Sequence, residues 1–178
     1  MRRIRIVVAY DGTNYCGWQI QPNGITIEEI LNRQISKLTG EDIRIIGASR
    51  TDSGVHALGN VAVFDTESRI PGDRFAYALN QKMPEDIVIV RSDEVQIDWH
   101  PRYQNEISKT YEYHIYNAKV RNPLKNRYST FVSFDLDVEK MRQGAKYILG
   151  EHDFASFCNV RTNAKDTVRT VHEITIKE

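Results

Sequence analysis

Residues 3–10 read RIRIVVAY and residues 26–40 read TIEEILNRQISKLTG, and the change of period between these stretches decides the fold. The first stretch is rich in Ile and Val and begins with strict alternation, which predicts a strand. In the second, Thr26 and Glu29 form a capping box, and apolar residues recur at helical spacing as far as Gly40, where a C-terminal cap belongs. The chain therefore begins with a strand that is followed by an amphipathic helix.

The elements that follow extend this beginning to β-α-β-β-α-β. Three further strands and one short helix are predicted, at 42–49, 55–65, 86–95 and 71–81 respectively. Residues 50–54, Arg-Thr-Asp-Ser-Gly, are predicted to connect the central hairpin. This order is the ferredoxin-like pattern, so residues 1–98 are predicted to form one ferredoxin-like domain.

The second half begins a similar series. Its strands are predicted at 107–117, 128–134 and 167–177. Asp137 is predicted to cap a helix that ends at Gly150. The helix and strand that would complete a second unit are missing, so residues 99–178 are predicted to be a partial ferredoxin-like domain. The expected fold class is α+β, with two ferredoxin-like units whose sheets are antiparallel, the second of them incomplete.

The distribution of charge says more than its total. The 178 residues contain 24 Lys or Arg and 24 Asp or Glu, so the net charge gives no argument for a nucleic-acid partner. Between Arg102 and Arg127, however, lie six basic residues and only two acidic ones. Such a stripe can bind phosphate on a neutral protein, although a solvated face would have the same composition.

The composition also argues against several classes of protein. Cys16 and Cys158 are far apart and have no metal-like spacing, which indicates free thiols and a reducing compartment. The five histidines form no ligand pair at helical spacing. The start Met-Arg-Arg-Ile-Arg alternates into a strand pattern and has no apolar h-region, so we do not expect it to be a signal peptide, and no apolar run approaches the roughly 20 residues of a membrane span. We therefore expect a cytoplasmic protein with no metal, no cofactor and no membrane contact.

Two polar stretches carry the candidate chemistry. Residues 10–19, YDGTNYCGWQ, form a glycine-rich aromatic loop after the first strand, and residues 47–56, GASRTDSGVH, contain Asp52. Each is open to interpretation as an ordinary turn, because Asp-Gly and Asp-Ser-Gly are common turn sequences. In the functional interpretation, Arg50 points to the same side of an extended chain as Asp52 and keeps its carboxylate charged. A nucleophilic or basic Asp needs that charge near neutral pH.

Six segments of the chain resemble the tRNA pseudouridine synthase A family, in the family's order. Arg50–His56 resembles its signature R-T-D-x-G-V-H, and Tyr10–Gln19 resembles its opening motif. The other four are HPRY at 100–103 for H-A-R-F, KTYEY at 109–113 for K-T-Y-x-Y, GEHDFASF at 150–157 for G-x-H-D-F-x-S-F, and VRTV at 168–171 for V-R-T-I. One such motif is a weak signal, whereas six in register are specific.

The resemblance implies an activity and a site. The family converts uridine to pseudouridine at positions 38, 39 and 40 of the anticodon arm, without a cofactor and as a homodimer. Asp52 matches its catalytic aspartate, Tyr111 matches the tyrosine that packs against the target base, and Arg50 matches an arginine that we interpret as a contact to phosphate or to the flipped nucleotide. From charge alone, a path for the tRNA backbone is predicted along Arg102, Lys109, Arg121, Lys125 and Arg127. The expected partners are tRNA and a second copy of the chain.

One family motif has no counterpart in this sequence. Near its C terminus the family carries G-x-G-F-L-Y-x-M-V-R, whose arginine pairs with the catalytic aspartate, and no segment of the 178 residues matches it. We therefore expect this chain to be a fragment, and to be weak or inactive until that segment is added.

Two other functions compete with this interpretation. A non-catalytic RNA-binding module would use the same aromatic and basic residues, and Asp52→Ala would then leave its function intact. A glycoside hydrolase would need a second carboxylate at a set distance from Asp52. Asp11 is the only candidate for it, and Asp11-Gly12 is better explained as a turn.

Overall fold

The structure is a computed structural model that describes residues 1–103, 108–158 and 166–178. The chain divides into two compact units, Met1–Tyr111 and Glu112–Glu178. Both units contain helix and strand, so the fold class is α+β. The domain boundary expected between residues 98 and 99 stays a prediction.

The first unit contains a four-stranded antiparallel sheet. Its elements are β1 (Arg2–Tyr10), α1 (Ile27–Thr39), β2 (Ile46–Gly47), β3 (Ala57–Thr66), α2 (Phe75–Asn80) and β4 (Ile87–Val95). The strands lie in the order β2-β3-β1-β4, and β1 pairs with both β3 and β4. The predicted order of elements, β-α-β-β-α-β, is confirmed for this unit.

The core of the first unit forms on one face of this sheet. Ile4, Ile6 and Val8 alternate along β1 and are fully buried, as the period of two predicts. Ile27, Leu31 and Ile35 recur at helical spacing along α1 and belong to the same buried cluster. Thr26 caps α1 by accepting a hydrogen bond from Glu29 N, and Gly40 ends the helix with a φ of 77°.

The strand predicted at 42–49 is confined to β2, the two residues Ile46–Gly47. Side chains of α1 bind the main chain that precedes it. Ile43 N donates to Ser36 Oγ at 2.9 Å, and Ile45 N donates to Asn32 Oδ1 at 2.9 Å. These amides are therefore unavailable to a strand partner, which explains why the ladder begins late.

The second unit is built from shorter elements. They are β5 (Ile115–Asn117), β6 (Thr130–Val132), α3 (Val138–Ala145), β7 (Gly150–Asp153) and β8 (Val168–Val171). β7 and β8 pair antiparallel, whereas β5 and β6 pair parallel. The expectation of an antiparallel sheet is therefore wrong for β5 and β6. Parallel neighbours need a connection of about a dozen residues or more, which the segment 118–129 supplies.

Most boundaries in the second unit differ from the sequence prediction, and β6 and β8 are both shorter than the strands expected at 128–134 and 167–177. The strand expected at 107–117 is confined to β5; Ile107 lies outside the described residues, and Ser108–His114 form no strand. α3 is capped by Asp137 as predicted, with Lys140 N donating to its carboxylate at 3.0 Å, but the helix ends at Ala145. Gly150, with a φ of 97°, begins a strand instead of ending that helix.

Two further properties concern the residues that the structure describes. No helix among them is long and apolar enough to cross a membrane. No group of three or more His, Cys, Asp or Glu side chains among them is arranged to hold a metal ion.

Candidate active site

The loops 10–19 and 47–56 lie directly against each other in the first unit. A Cβ atom on Gly12 would lie 2.1 Å from Val55 O, and one on Gly17 would lie 2.6 Å from Thr51 O. Gly17 also has a φ of 81°, which L side chains rarely adopt. The glycines of the first loop are therefore what allows its main chain to approach the second.

Hydrogen bonds between the two loops hold both neighbours of Asp52. Trp18 N donates to Thr51 O at 3.0 Å. On the other side, Ser53 Oγ donates to Tyr15 O at 3.2 Å, and Gly54 N donates to the same oxygen at 3.3 Å. The main chain on either side of Asp52 is thus fixed by partners in the opposite loop.

Aromatic side chains form the base on which the Asp52 loop rests. Trp18 is 1% exposed, and its indole ring occupies the space beside Gly47, where a Cβ would lie 2.6 Å from ring atoms. The Tyr10 ring centroid lies 5.9 Å from that of Trp18, and the Tyr10 hydroxyl bonds Thr51 Oγ1 at 2.8 Å. Burial, the larger effect, raises the pKa of Tyr10, so this hydroxyl keeps its proton.

Asp52 and Arg50 are both exposed, and the expected ion pair between them is absent from the described part of the chain. The reason is local. β2 ends at Gly47 and β3 begins at Ala57, so residues 48–56 lie outside the regular strands, and the alternation of a strand does not fix where Arg50 and Asp52 point.

Two of the predicted backbone-binding cations lie beside the start of the Asp52 loop. Arg102 Nε donates to Gly47 O at 2.7 Å, and Lys109 Nζ donates to Ala48 O at 3.1 Å. The segment that carries Arg102 is itself held to β1, because Arg3 Nη1 donates to Trp99 O at 2.9 Å. Both cations therefore stabilise main chain that leads into the Asp52 loop.

The remaining predicted residues lie elsewhere in the chain. Tyr111 is 82% exposed and lies at the end of the first unit, in a segment without regular structure. Arg121, Lys125 and Arg127 belong to the second unit.

The sequence analysis did not predict two contacts that aspartate side chains make beside these loops. His56 Nδ1 lies 3.0 Å from Asp11 Oδ1 and 3.1 Å from Gly12 N, so this nitrogen donates to Asp11 or accepts from Gly12 according to its protonation. Tyr15 donates its hydroxyl hydrogen bond to Asp86 at 2.5 Å. His56 and Asp11 stand in the two motifs, which is the signal that was available for their contact, whereas nothing in the sequence pointed to Asp86.

The Tyr15–Asp86 contact predicts a dependence of stability on pH. Burial and the hydrogen bond to Asp86 raise the pKa of Tyr15 above its usual value near 10. Above about pH 10 the unfolded chain loses a proton that the folded chain keeps, so the contribution of Tyr15 is fully present below pH 10 and is lost as the pH rises. We expect the free energy of unfolding, measured by urea denaturation between pH 9 and about pH 11.5, to fall less steeply with pH in Tyr15→Phe than in the parent. The two slopes should differ by up to about 1.4 kcal/mol per pH unit. Parallel curves for the two proteins would contradict this assignment.

Comparison with known proteins agrees with the motifs. The family model described as tRNA pseudouridine synthase matches residues 6–104 and 145–178. The chain is 49% identical over 177 residues to tRNA pseudouridine synthase A of Acetivibrio thermocellus, covering 99% of this chain and 72% of the relative. It is 45% identical over 178 residues to the protein of the same name from Thermoanaerobacter sp. strain X514, and 43% identical over 178 residues to that of Brevibacillus brevis, in each case covering 100% of this chain and 72% of the relative. The chain therefore belongs to the tRNA pseudouridine synthase family, isomerases that convert uridine in tRNA to pseudouridine.

Proposed function

We propose that Asp52 is the active-site carboxylate, and that the uridines it acts on lie at positions 38, 39 and 40 of the anticodon stem-loop. The observation that carries the proposal is the placement of Asp52. Its side chain is exposed, while the chain on both sides of it is hydrogen-bonded to the opposite loop, through Thr51 O on one side and through Ser53 Oγ and Gly54 N on the other. An accessible carboxylate on an anchored loop is what attack on a ribose requires.

Uridine and pseudouridine are isomers, so the reaction transfers no group to or from a second substrate. The bond between C1′ and N1 of uridine breaks, the base rotates, a bond forms between C1′ and C5, and the proton on C5 leaves while N1 gains one. Asp52 either attacks C1′ to form a covalent sugar intermediate or removes a ribose proton to give a glycal. In both routes the nucleotide must leave the base stack so that its sugar reaches the carboxylate.

The other assignments are proposals that rest on the resemblance and on charge. We propose that Tyr111 packs against the target base and that Arg50 contacts phosphate or the flipped nucleotide. Arg121, Lys125 and Arg127 are cations that suit the tRNA backbone, as do Arg102 and Lys109 next to the Asp52 loop. A cytoplasmic homodimer, with a ferredoxin-like domain at residues 1–98 and a partial ferredoxin-like domain at residues 99–178, completes the proposal.

The proposed target positions are testable with labelled tRNA. Loss of the C5 hydrogen releases tritium from tRNA transcribed with 5-tritiated uridine. We expect a transcript with cytidine at positions 38, 39 and 40 to release none above background, because it offers no uridine at the proposed targets. The assay uses the chain itself and the chain extended with the C-terminal segment of the Acetivibrio thermocellus relative, and a transcript with a cytidine in the acceptor stem is the control. Undiminished release from the first transcript would refute the anticodon assignment.

A further inference from the structure

The second unit contains a cavity of about 310 Å³ with aromatic and basic walls. The residues that matter for its chemistry are His114, Tyr116, Lys125 and Tyr128, and they define what we call the Tyr128 cavity. None of the described residues that line it is acidic. This composition differs from that of an apolar crevice between packed elements, because a histidine, two tyrosines and a lysine are among the residues that line it.

Hydrogen bonds of the main chain build the walls of the Tyr128 cavity. Lys125 N donates to Asn122 O at 3.0 Å, and Tyr128 N donates to Lys125 O at 3.2 Å, so the segment that carries both side chains forms consecutive turns. Across from it, Thr130 N donates to His114 O at 2.8 Å, which ties the segment to the chain that enters β5. The positions of Lys125, Tyr128 and His114 are thus set by backbone structure.

Lys125 carries the positive charge of the cavity lining, and the His114 ring on its wall lies 3.7 Å (Nε2 to Oε2) from Glu112, which is outside the lining. The Lys125 ammonium group has no hydrogen-bond or ion-pair partner within the ranges that the structure describes. Next to the cavity, the Phe131 ring lies 6.2 Å from Tyr116, and the Arg121 guanidinium lies over that ring at 5.3 Å. A cation without a partner, followed by a second one stacked on an aromatic ring, favours an anionic ligand that also offers a flat face.

An unpaired nucleotide has both features. Its phosphate is the anion, and its exposed base stacks on aromatic side chains, which is how proteins commonly bind single-stranded RNA. Bases inside a duplex are stacked on one another and offer no such face. Tyr128 is 56% exposed, so part of its side chain is accessible to solvent.

We propose that the Tyr128 cavity binds one unpaired nucleotide of tRNA, with the base stacked on Tyr128 and the phosphate at Lys125. The proposal rests on tRNA being the substrate, and it does not depend on the role of Asp52. It adds a base contact to what was expected from charge alone, which was a backbone contact by Lys125.

Binding of unmodified tRNA to the 178-residue chain tests the proposal, with affinity measured by fluorescence anisotropy across a series of KCl concentrations. We expect Tyr128→Leu to weaken tRNA binding roughly five- to 150-fold, the range for the loss of one base–aromatic stack. Tyr128→Trp restores the ring and is expected to bind like the parent. Lys125→Gln is expected to lower the slope of log affinity against log salt by about 0.7, as the loss of one phosphate contact predicts.

Matched controls come from the same unit. Lys146→Gln and Tyr147→Leu remove an exposed lysine and an exposed tyrosine that do not line the cavity, and both variants are expected to bind tRNA like the parent. A fully paired RNA hairpin stem is expected to bind the parent and Tyr128→Leu equally. Circular dichroism of each variant verifies that the unit is folded.

Three results would overturn the proposal. They are unchanged tRNA affinity in Tyr128→Leu, failure of a folded Tyr128→Trp to restore binding, and an equal loss of affinity for tRNA and for the paired stem. Failure of the Asp52 assignment is separate, because it would show as turnover by an Asp52 variant, whereas these measurements record binding without turnover.

Discussion

Replacing Asp52 by asparagine is expected to reduce tritium release from tRNA by about a thousandfold or more, while the affinity for tRNA changes by less than about threefold. The amide has nearly the shape of the carboxylate but neither attacks C1′ nor accepts a ribose proton. Removal of a nucleophile or a general base typically lowers kcat by several orders of magnitude. Binding changes little, because one exposed carboxylate contributes little to the affinity for a polyanion.

The measurement compares single-turnover tritium release with tRNA affinity for each variant, in the chain and in the chain extended with the C-terminal segment of the Acetivibrio thermocellus relative. Asp42→Asn, at an exposed carboxylate in the segment before β2, is the matched control and is expected to retain the parent rate. Ser53→Ala tests the neighbouring anchor, since it removes only the hydrogen bond to Tyr15 O. An Asp52→Asn protein that isomerises uridine at the parent rate would remove Asp52 from the chemistry and leave its loop a turn.

The same two measurements, tritium release and tRNA affinity, also separate the competing functions. A non-catalytic RNA-binding module predicts the same tRNA affinity and no tritium release from any of these proteins. A glycoside hydrolase mechanism would place a second acid near Asp52, and Asp11 was the only candidate for it. In the structure, Asp11 Oδ1 accepts hydrogen bonds from Thr13 N and Thr13 Oγ1 and lies beside His56. Asp11 is therefore engaged in its own turn, as the turn interpretation of Asp11-Gly12 predicts.

Much of the first unit was predictable because its signals are local. Alternation along residues 3–10 identifies which side chains of β1 are buried. Thr26 and Gly40 bracket α1, because a cap depends on residues within one turn of the helix end. The ladder of β2 was not predictable in the same way. Ser36 and Asn32 take the amides of Ile43 and Ile45, and no period in the sequence reports a side chain that competes with a strand partner.

In the candidate site, too, the local features were predictable and the long-range contacts were not. Motif resemblance identified both loops, yet it contained no information on how they touch. Gly12 meets Val55, and Tyr15 meets Asp86, 71 residues further along the chain. Contacts at such separation depend on the whole fold, and a one-dimensional pattern does not encode them. The expected Arg50–Asp52 pair failed for a related reason, because it assumed extended chain in a segment that begins after β2 has ended.

Trp18 connects the stability of the fold to the geometry of the Asp52 loop. Its ring is almost fully buried between Gly47, which ends β2, and Tyr10, which ends β1. Its main-chain N–H also donates to Thr51 O. One residue therefore fills the space beneath the loop and bonds the loop's main chain.

We expect Trp18→Ala to lower the free energy of unfolding by about 3–5 kcal/mol, the range for removing a large aromatic side chain from a core. The loss combines the burial of the indole with the cavity left beside Gly47, which has no side chain to fill it. Trp18→Phe keeps a ring in that space and is expected to lose less, so urea denaturation of the three proteins should order them as parent, Phe, Ala. Trp99→Ala, at the half-buried second tryptophan over which the Arg5 guanidinium lies at 5.4 Å, is the matched control and is expected to lose less than Trp18→Ala. If Trp18→Ala unfolds at the parent urea concentration, the indole does not stabilise the core beneath the Asp52 loop.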